Sequence, residues 1–293
     1  MTDKAPIGLV GIGLMGEVLA GRLIAAGFSV LGYDVDPAKG ERLVKMGGKA
    51  GSLAEVAQCD RVILAVFSTD QVEDVTQNSL VPAAGKGTTS GKIVLCTSTC
   101  DPDRIAALEA KVAPQGIRFL ETPVSGTSEQ VRQGDGVGLI GGDKKTADEV
   151  KNILDVIFPR RFHIGRPGDG GRAKLAVNLI LGLNRLALAE GLTFASRMGL
   201  DPKAFVEVAK TSAAYSQVME TKARKMIERD FAPEGRVKQT LKDAHMMQDQ
   251  ARKLGQTLPL LNVNVDVLES CVRAGEADFD NSAVVEEIRR RKV

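Results

Sequence analysis

The sequence predicts an α/β N-terminal domain with a largely parallel, doubly wound sheet, followed by an all-α C-terminal domain. Three observations carry that expectation. Short apolar runs alternate with helix-length segments through the first half of the chain. The first run leads directly into the glycine-rich stretch GIGLMG at residues 11–16. After Gly168 no convincing strand pattern is found, and the apolar residues recur at helical spacing instead.

Strands are expected at 7–10, 28–33, 61–66, 92–96, 117–120 and 137–140, because each run is brief, branched or aromatic, and bounded by Gly, Pro or polar residues. Helices are expected between them at about 15–26, 37–46, 53–57, 69–77, 101–113 and 143–157, from their periodicity and capping residues. Strands and helices alternating at this spacing imply parallel strands joined by right-handed crossovers. GRPGDGG at 165–171 breaks the pattern. A long helix is expected from about 172 to 198, with others after Asp201, Ala214, Val237 and Leu260. The expected division is therefore 1–165 and 166–293, and 293 residues accommodate two domains.

Composition excludes several classes. With 43% hydrophobic and 26% charged residues the chain reads as globular, and a net charge of +2 gives no reason to expect a nucleic-acid partner. The basic run at 289–292 is read as a solvated helix end, where cations suit the dipole. Residues 1–5 are polar and leave no room for a targeting segment before the first strand. The most apolar stretch, 173–195, carries Lys174, Arg185 and Glu190, so no membrane span is expected and the location is read as cytoplasmic. Cys59, Cys96, Cys100 and Cys271 lack CxxC spacing, and His163 and His245 are the only histidines. Buried reduced thiols, and no metal site, are expected.

The glycine stretch has the context a dinucleotide cradle requires. A strand leads in, Gly11 permits a tight turn, Gly13 lets backbone approach a pyrophosphate, and Gly16 allows close helix-to-strand packing. Ile12 lies within that turn, and the helix opening at Leu14 and Met15 directs free N–H groups at the phosphates. Asp34, at the end of the second strand, fits both adenosine ribose hydroxyls and repels a 2′-phosphate. NAD is expected, and NADP is disfavoured; nearby Lys39 is the residue that weakens this preference. The first domain is thus read as Rossmann-like.

A cofactor fold does not specify a reaction. Lys174 and Asn178 lie four apart on a helix apolar almost all round, hence adjacent on one face. An amine in such surroundings loses basicity and suits proton exchange with an alcohol during hydride transfer. From the residues alone a second reading stands beside it, a lysine in the first turn whose head reaches water. Ser125, Gly126 and Thr127 follow a strand, where a hydroxyl and two N–H groups can meet an anion; read alone they fit an ordinary turn better.

GLVGIGLMG at 8–16, CTSTCDP at 96–102, ETPVSG at 121–126, the stretch from GDGG through AEG at 168–191, and LKD at 241–243 together resemble the β-hydroxyacid dehydrogenase family. That family includes 3-hydroxyisobutyrate dehydrogenase, tartronate semialdehyde reductase and 6-phosphogluconate dehydrogenase, and the resemblance spans nearly the whole chain. It implies that Lys174 is the general acid/base, that Asn178 orients the substrate, and that Ser125 and Gly126 bind its carboxylate. It also implies that Val66, Phe67, Thr99 and Lys242 touch the cofactor, and that the protein is a homodimer or homotetramer. Departures from the family pattern are ETPVSGT for DAPVSGG, Val66-Phe67 for Leu-Pro, and Ala244 for leucine. A phosphosugar acid is disfavoured by chain length and by Asp34 in place of Asn-Arg.

Arg132 could pair with a second acidic group on the substrate, although such an arginine is more often at the surface. Arg185, eleven residues after Lys174, returns to nearly the same helical face, and a structural ion pair is the better reading for it. Ser212, Tyr215 and Ser216 resemble the family's variable substrate-side segment, and the two histidines are read as structural. The leading expectation is an NAD-dependent dehydrogenase or reductase of a small β-hydroxy acid. The alternatives are a dinucleotide-binding sensor or scaffold without turnover, and an imine reductase, in which the lysine is typically replaced.

Overall fold

Nine strands build one sheet in a computed structural model that describes residues 5–84 and 91–292; the polar stretch at 1–4 lies outside them. They are β1 (Ile7–Val10), β2 (Val30–Tyr33), β3 (Lys49–Ala50), β4 (Arg61–Leu64), β5 (Lys92–Cys96), β6 (Ile117–Glu121), β7 (Val124–Ser125), β8 (Val137–Gly141) and β9 (Arg160–Gly165). The order is β3-β2-β1-β4-β5-β6-β8-β7, with β9 also paired to β8. Pairing from β3 to β6 is parallel throughout, β8 runs antiparallel to β6 and β7, and β9 runs parallel to β8. The β3-to-β6 portion has the doubly wound dinucleotide-binding order.

The central strands are apolar on both sides because both faces are covered. Leu9, Ile63 and Leu95 join one buried cluster with Leu19, Leu23 and Phe158. Their neighbours Val10, Leu64 and Cys96 face the other way, into a second cluster with Ile105, Leu108 and Val112. A strand buried on both faces gives the near-continuous apolar runs seen in the sequence.

The sequence expectations miss three strands. β3 is two exposed residues. β7 occupies the segment read as a simple turn, where Val124 and Ser125 pair with Gly138 and Val137. β9 is charged and largely exposed, so it shows neither alternation nor an apolar run. The helix expected at 143–157 is broken at Val150 into Lys144–Glu149 and Lys151–Ile157. A six-residue helix, Ser128–Gln133, went unanticipated.

By its internal contacts the chain divides into two compact units, Met1–Lys174 and Leu175–Val293. The second contains helices Pro202–Thr211, Val218–Glu228, Val237–Lys253, Pro259–Arg273 and Val284–Arg290, with most of the long helix Asp169–Arg197. By length and composition that long helix is apolar enough to cross a membrane, with a mean hydropathy of 1.4 in its best window. Lys174, Arg185 and Glu190, on which the sequence argument rested, do not by themselves exclude it on length and composition. Packing is the more informative property: Leu175, Leu186, Leu188, Ala189 and Leu192 are buried in the second unit's core. The C-terminal basic run is ion-paired rather than merely solvated: Arg290 reaches Glu276 at 2.5 Å and Arg291 reaches Asp266 at 2.6 Å. All four cysteines are buried free thiols.

Candidate active site

The cradle is built by close backbone approach after β1. Gly11 has φ +92°, and a Cβ there would lie 2.5 Å from the Ala65 carbonyl oxygen. A Cβ on Gly16 would lie 2.0 Å from the Gly11 oxygen, so neither position accepts alanine without backbone movement. Gly13 differs, since a Cβ there would meet nothing within 4 Å. It opens the helix Leu14–Ala25 without a side-chain cap, leaving the first-turn N–H groups of Leu14, Met15 and Gly16 without a capping side chain. Donors, dipole and free space in front of Gly13 together fit a pyrophosphate.

Ile12 is fully buried, and its N–H donates to Asp34 Oδ2 at 2.7 Å. Asp34 also accepts from the Asp36 N–H at 3.0 Å and from Lys39 Nζ at 3.2 Å. Burial pushes this carboxyl up, but the two N–H groups and the ammonium outweigh it and hold the acid below its usual range. A firmly ionised acceptor thus stands at the end of β2.

The ends of β4 and β5 are tied together on the other side of β1. Ser98 Oγ donates to the Val66 carbonyl at 2.7 Å, Thr97 Oγ1 donates to the Leu64 carbonyl at 2.9 Å, and the Phe67 N–H donates to Gln71. Val66 is half-buried, Phe67 is exposed, and Thr99 follows Ser98 in the same loop. These loops lie at the carboxyl ends of parallel strands, where ligands of open α/β sheets bind. Ser125 ends β7, and Gly126 has φ +139° with its would-be Cβ 3.3 Å from the Gly136 backbone. Thr127 is occupied as a helix cap: its Oγ1 accepts from the Gln130 N–H and its own N–H donates to the Gln130 side chain.

Lys174 is 7% exposed, which favours the buried amine over the water-reaching one. The start of its helix is fixed to β6 by a residue that the sequence reading left without a role. Glu121, 3% exposed, accepts from the Gly168 N–H at 2.5 Å and the Gly171 N–H at 3.2 Å. Burial pushes its pKa up to about 7 in spite of those two donors and Arg172.

In the second unit, Asn178 Nδ2 donates to Asp243 Oδ2 at 3.0 Å, and Lys242 Nζ lies 3.1 Å from Asp243 Oδ1. Asp243 is 6% exposed and joins two residues that the sequence singled out separately. Its only signal was its place beside Lys242 in the LKD motif. Arg185 lies about 16 Å along the helix axis from Lys174, too far to share a small substrate with it. It is buried near Asp280, and burial brings its pKa down to about 10. Arg132 is exposed and paired with Glu129 at 3.2 Å. Ser212 Oγ donates to its own helix at the Ala209 carbonyl, and Tyr215 is exposed. His163 bonds the Gly142 carbonyl, and His245 lies 3.4 Å from Glu269.

Comparison with known proteins gives two family matches in tandem. The NAD binding domain of 6-phosphogluconate dehydrogenase matches residues 6–165, and the NAD-binding domain of NADP-dependent 3-hydroxyisobutyrate dehydrogenase matches residues 168–288. Glyoxylate/succinic semialdehyde reductase 2 of Arabidopsis thaliana is 30% identical over 98% of this chain and 80% of its own length. L-threonate dehydrogenase of Cupriavidus necator is 30% identical over 95% of this chain and 94% of its own. The crystal structure of 3-hydroxyisobutyrate dehydrogenase from Salmonella typhimurium superposes with a TM-score of 0.87 at 26% identity, covering 97% of this chain and 99% of that one. An imine reductase from Pseudomonas sp., at 18% identity and a TM-score of 0.67 over 98% of this chain and 100% of its own, shares the fold alone.

Proposed function

The chain belongs to the β-hydroxyacid dehydrogenase family, NAD(P)-dependent oxidoreductases of small hydroxy acids and their semialdehydes, and from that premise we propose a mechanism in which Lys174 carries the proton. The carrying observation is a lysine 7% exposed, four residues before an asparagine held by a buried aspartate. The cradle at Gly11, Ile12, Gly13, Leu14, Met15 and Gly16, with Asp34, Val66, Phe67, Thr99 and Lys242, would hold the dinucleotide. When bound, that cofactor accepts the hydride from the carbinol carbon.

The remaining work falls to the chain. Ser125, Gly126 and Thr127 receive the substrate carboxylate; with Thr127 engaged in its cap, the Ser125 hydroxyl and the backbone at Gly126 make the principal contacts. Lys174 Nζ takes the hydroxyl proton as the carbonyl forms, and returns it in the reverse direction. Asn178, oriented by Asp243, directs the hydroxyl toward the amine. The reading is tested by offering NAD and NADP with 3-hydroxyisobutyrate, glycerate, serine, threonate and 3-hydroxypropionate, and following reduced nicotinamide. Turnover of at least one is expected. Tight cofactor binding with no turnover of any hydroxy acid or matching semialdehyde would instead support a binding protein.

The preferred cofactor is NAD, because a 2′-phosphate would meet the ionised Asp34. Asp34→Ala removes that repulsion and leaves the Lys39 ammonium to meet the phosphate. It is expected to shift the NAD-to-NADP affinity ratio roughly 10- to 100-fold toward NADP. Calorimetric titration of both cofactors reads this ratio, and an unchanged one would remove Asp34 from the ribose contact.

We place the domain boundary at 165/166, with the glycine cradle, Asp34 and the carboxylate site at Ser125 before it, and Lys174, Asn178, Lys242 and the oligomer contacts after it. Four buried free thiols support a cytoplasmic location. A homodimer or homotetramer is supported by exposed apolar side chains of the second unit, among them Ile180, Phe194 and Val208, each more than 60% exposed. Sedimentation should show an oligomer, and a monomer at micromolar concentration would contradict it.

A further inference from the structure

Three glycines close around one buried acid at the start of the long helix. A Cβ on Gly141 of β8 would lie 2.6 Å from Glu121 Oε2, and one on Gly171 would lie 2.9 Å from Oε1. At Gly170 a Cβ would meet the Leu139 carbonyl at 2.8 Å and the Glu121 Cβ at 3.3 Å. The GDGG stretch therefore does more than interrupt the strand pattern. It strips side chains from the start of the long helix so that the helix can rest against β6 and β8 with the Glu121 carboxylate at its N-terminus. Lys174 follows Gly171 by three residues on that helix, less than one turn away.

We propose that Glu121 is a positioning residue for Lys174: its carboxylate grips the Gly168 and Gly171 N–H groups, fixes the first turn on the end of β6, and aims the amine that follows. This rests on the reading of Lys174 as the proton carrier. The ionised carboxylate is the gripping form, because it can accept from both N–H groups and faces the positive end of the helix dipole. A protonated carboxyl must direct one oxygen's proton into the same donor-lined space, and the grip loosens.

The charged and titratable groups facing Glu121 are few. Cys96 is its partner in register on β5, Asp169 and Arg172 come from the helix itself, and β8 presents only Gly141. Arg172 is shared with Asp103 at 2.9 Å and Asp169 at 2.8 Å. No counter-charge therefore belongs to Glu121 alone, and burial places its ionisation at about 7. Activity is expected to rise with pH through that ionisation. Stability moves the opposite way: a carboxyl raised from 4.5 in the unfolded chain to about 7 when folded contributes stability below 4.5 that is lost as pH rises through 7.

The test compares Glu121→Gln, Glu121→Asp, Lys174→Ala and the unaltered enzyme, by kcat and KM against pH and by thermal unfolding at pH 5 and 8. Glu121→Gln is expected to lower kcat at pH 8 roughly 10- to 100-fold, the range for a misplaced catalytic group, with cofactor KM within about twofold. It should also lose the ionisation near 7 from its kcat profile and show less loss of Tm between pH 5 and 8. Glu121→Asp, which keeps the charge, should recover most of the activity and still show an ionisation, with its midpoint moved from that of the wild type. A structural role alone would move kcat and Tm together and would not remove an ionisation.

Wild-type kcat and pH profile in Glu121→Gln, or an equal loss in Glu121→Gln and Glu121→Asp, overturns the proposal while Lys174→Ala remains inactive. Full activity in Lys174→Ala overturns the underlying reading, and the proposal with it. Should the glutamine variant not fold, the aspartate variant decides: its acid limb should move from the wild-type midpoint, and an unmoved limb overturns the proposal.

Discussion

Lys174→Ala is expected to lower kcat by roughly 10³-fold or more while leaving cofactor affinity within about threefold of wild type. One effect carries that figure. Loss of a positioned proton acceptor is worth roughly 10²- to 10⁴-fold, and methyl in place of the amine takes no proton. The cradle is built from residues 11–16 and Asp34, so its affinity should persist. Asn178→Ala should be milder and should raise substrate KM along with lowering kcat, because it removes orientation rather than the proton carrier. Steady-state kinetics with calorimetric cofactor titration separates the two variants. Equal loss of cofactor binding and turnover in Lys174→Ala would indicate a structural lysine.

Asp280→Ala is expected to destabilise the second unit by about 3–5 kcal/mol, the cost of stranding a buried charge. Asp280 is fully buried, holds Lys222 Nζ at 2.9 and 3.0 Å, and accepts from the N–H groups of Glu234, Gly235 and Ser282. Alanine there leaves Lys222, 4% exposed, without its closest counter-charge and Arg185 without its neighbouring one. Burial raises the Asp280 carboxyl, but Lys222 and the N–H donors outweigh it and hold it below the usual 3.8. Its contribution is therefore present above that range and is lost only as pH falls through the lowered value. Between pH 6 and 8 the penalty should not vary. Scanning calorimetry should show the second unit melting roughly 10 °C or more below wild type; an unchanged transition would mean that the buried ions are solvated in some other way.

Much of the first domain was legible because its physics is local. The strands at 7–10, 61–64 and 92–96 are sandwiched between two apolar clusters, and a strand buried on both faces writes an uninterrupted apolar run. β9 and β3 write no such signal, being exposed, and β7 was masked by Pro123 and Gly126 flanking a two-residue pairing. The cradle glycines were legible because Gly11 and Gly16 answer to constraints within a few residues of each other. Glu121 and Asp243 were not, since the groups they hold lie 47 and 65 residues away in sequence. A buried acid whose partners are distant backbone N–H groups leaves no mark on composition or periodicity. Arg185 was legible in part: helical phase brings it back to the Lys174 face, axial rise takes it out of reach, and it is buried near an acidic neighbour, Asp280, in keeping with the structural role read for it.

Single-turnover hydride transfer, measured against pH in the wild type and Lys174→Ala with substrate carrying hydrogen or deuterium at the carbinol carbon, addresses the central claim most directly. Transfer in the wild type should be fast, and in the variant roughly 10³-fold slower, with chemistry fully rate-limiting and the isotope effect fully expressed. Equal transfer rates with the same isotope effect in both proteins would contradict the account.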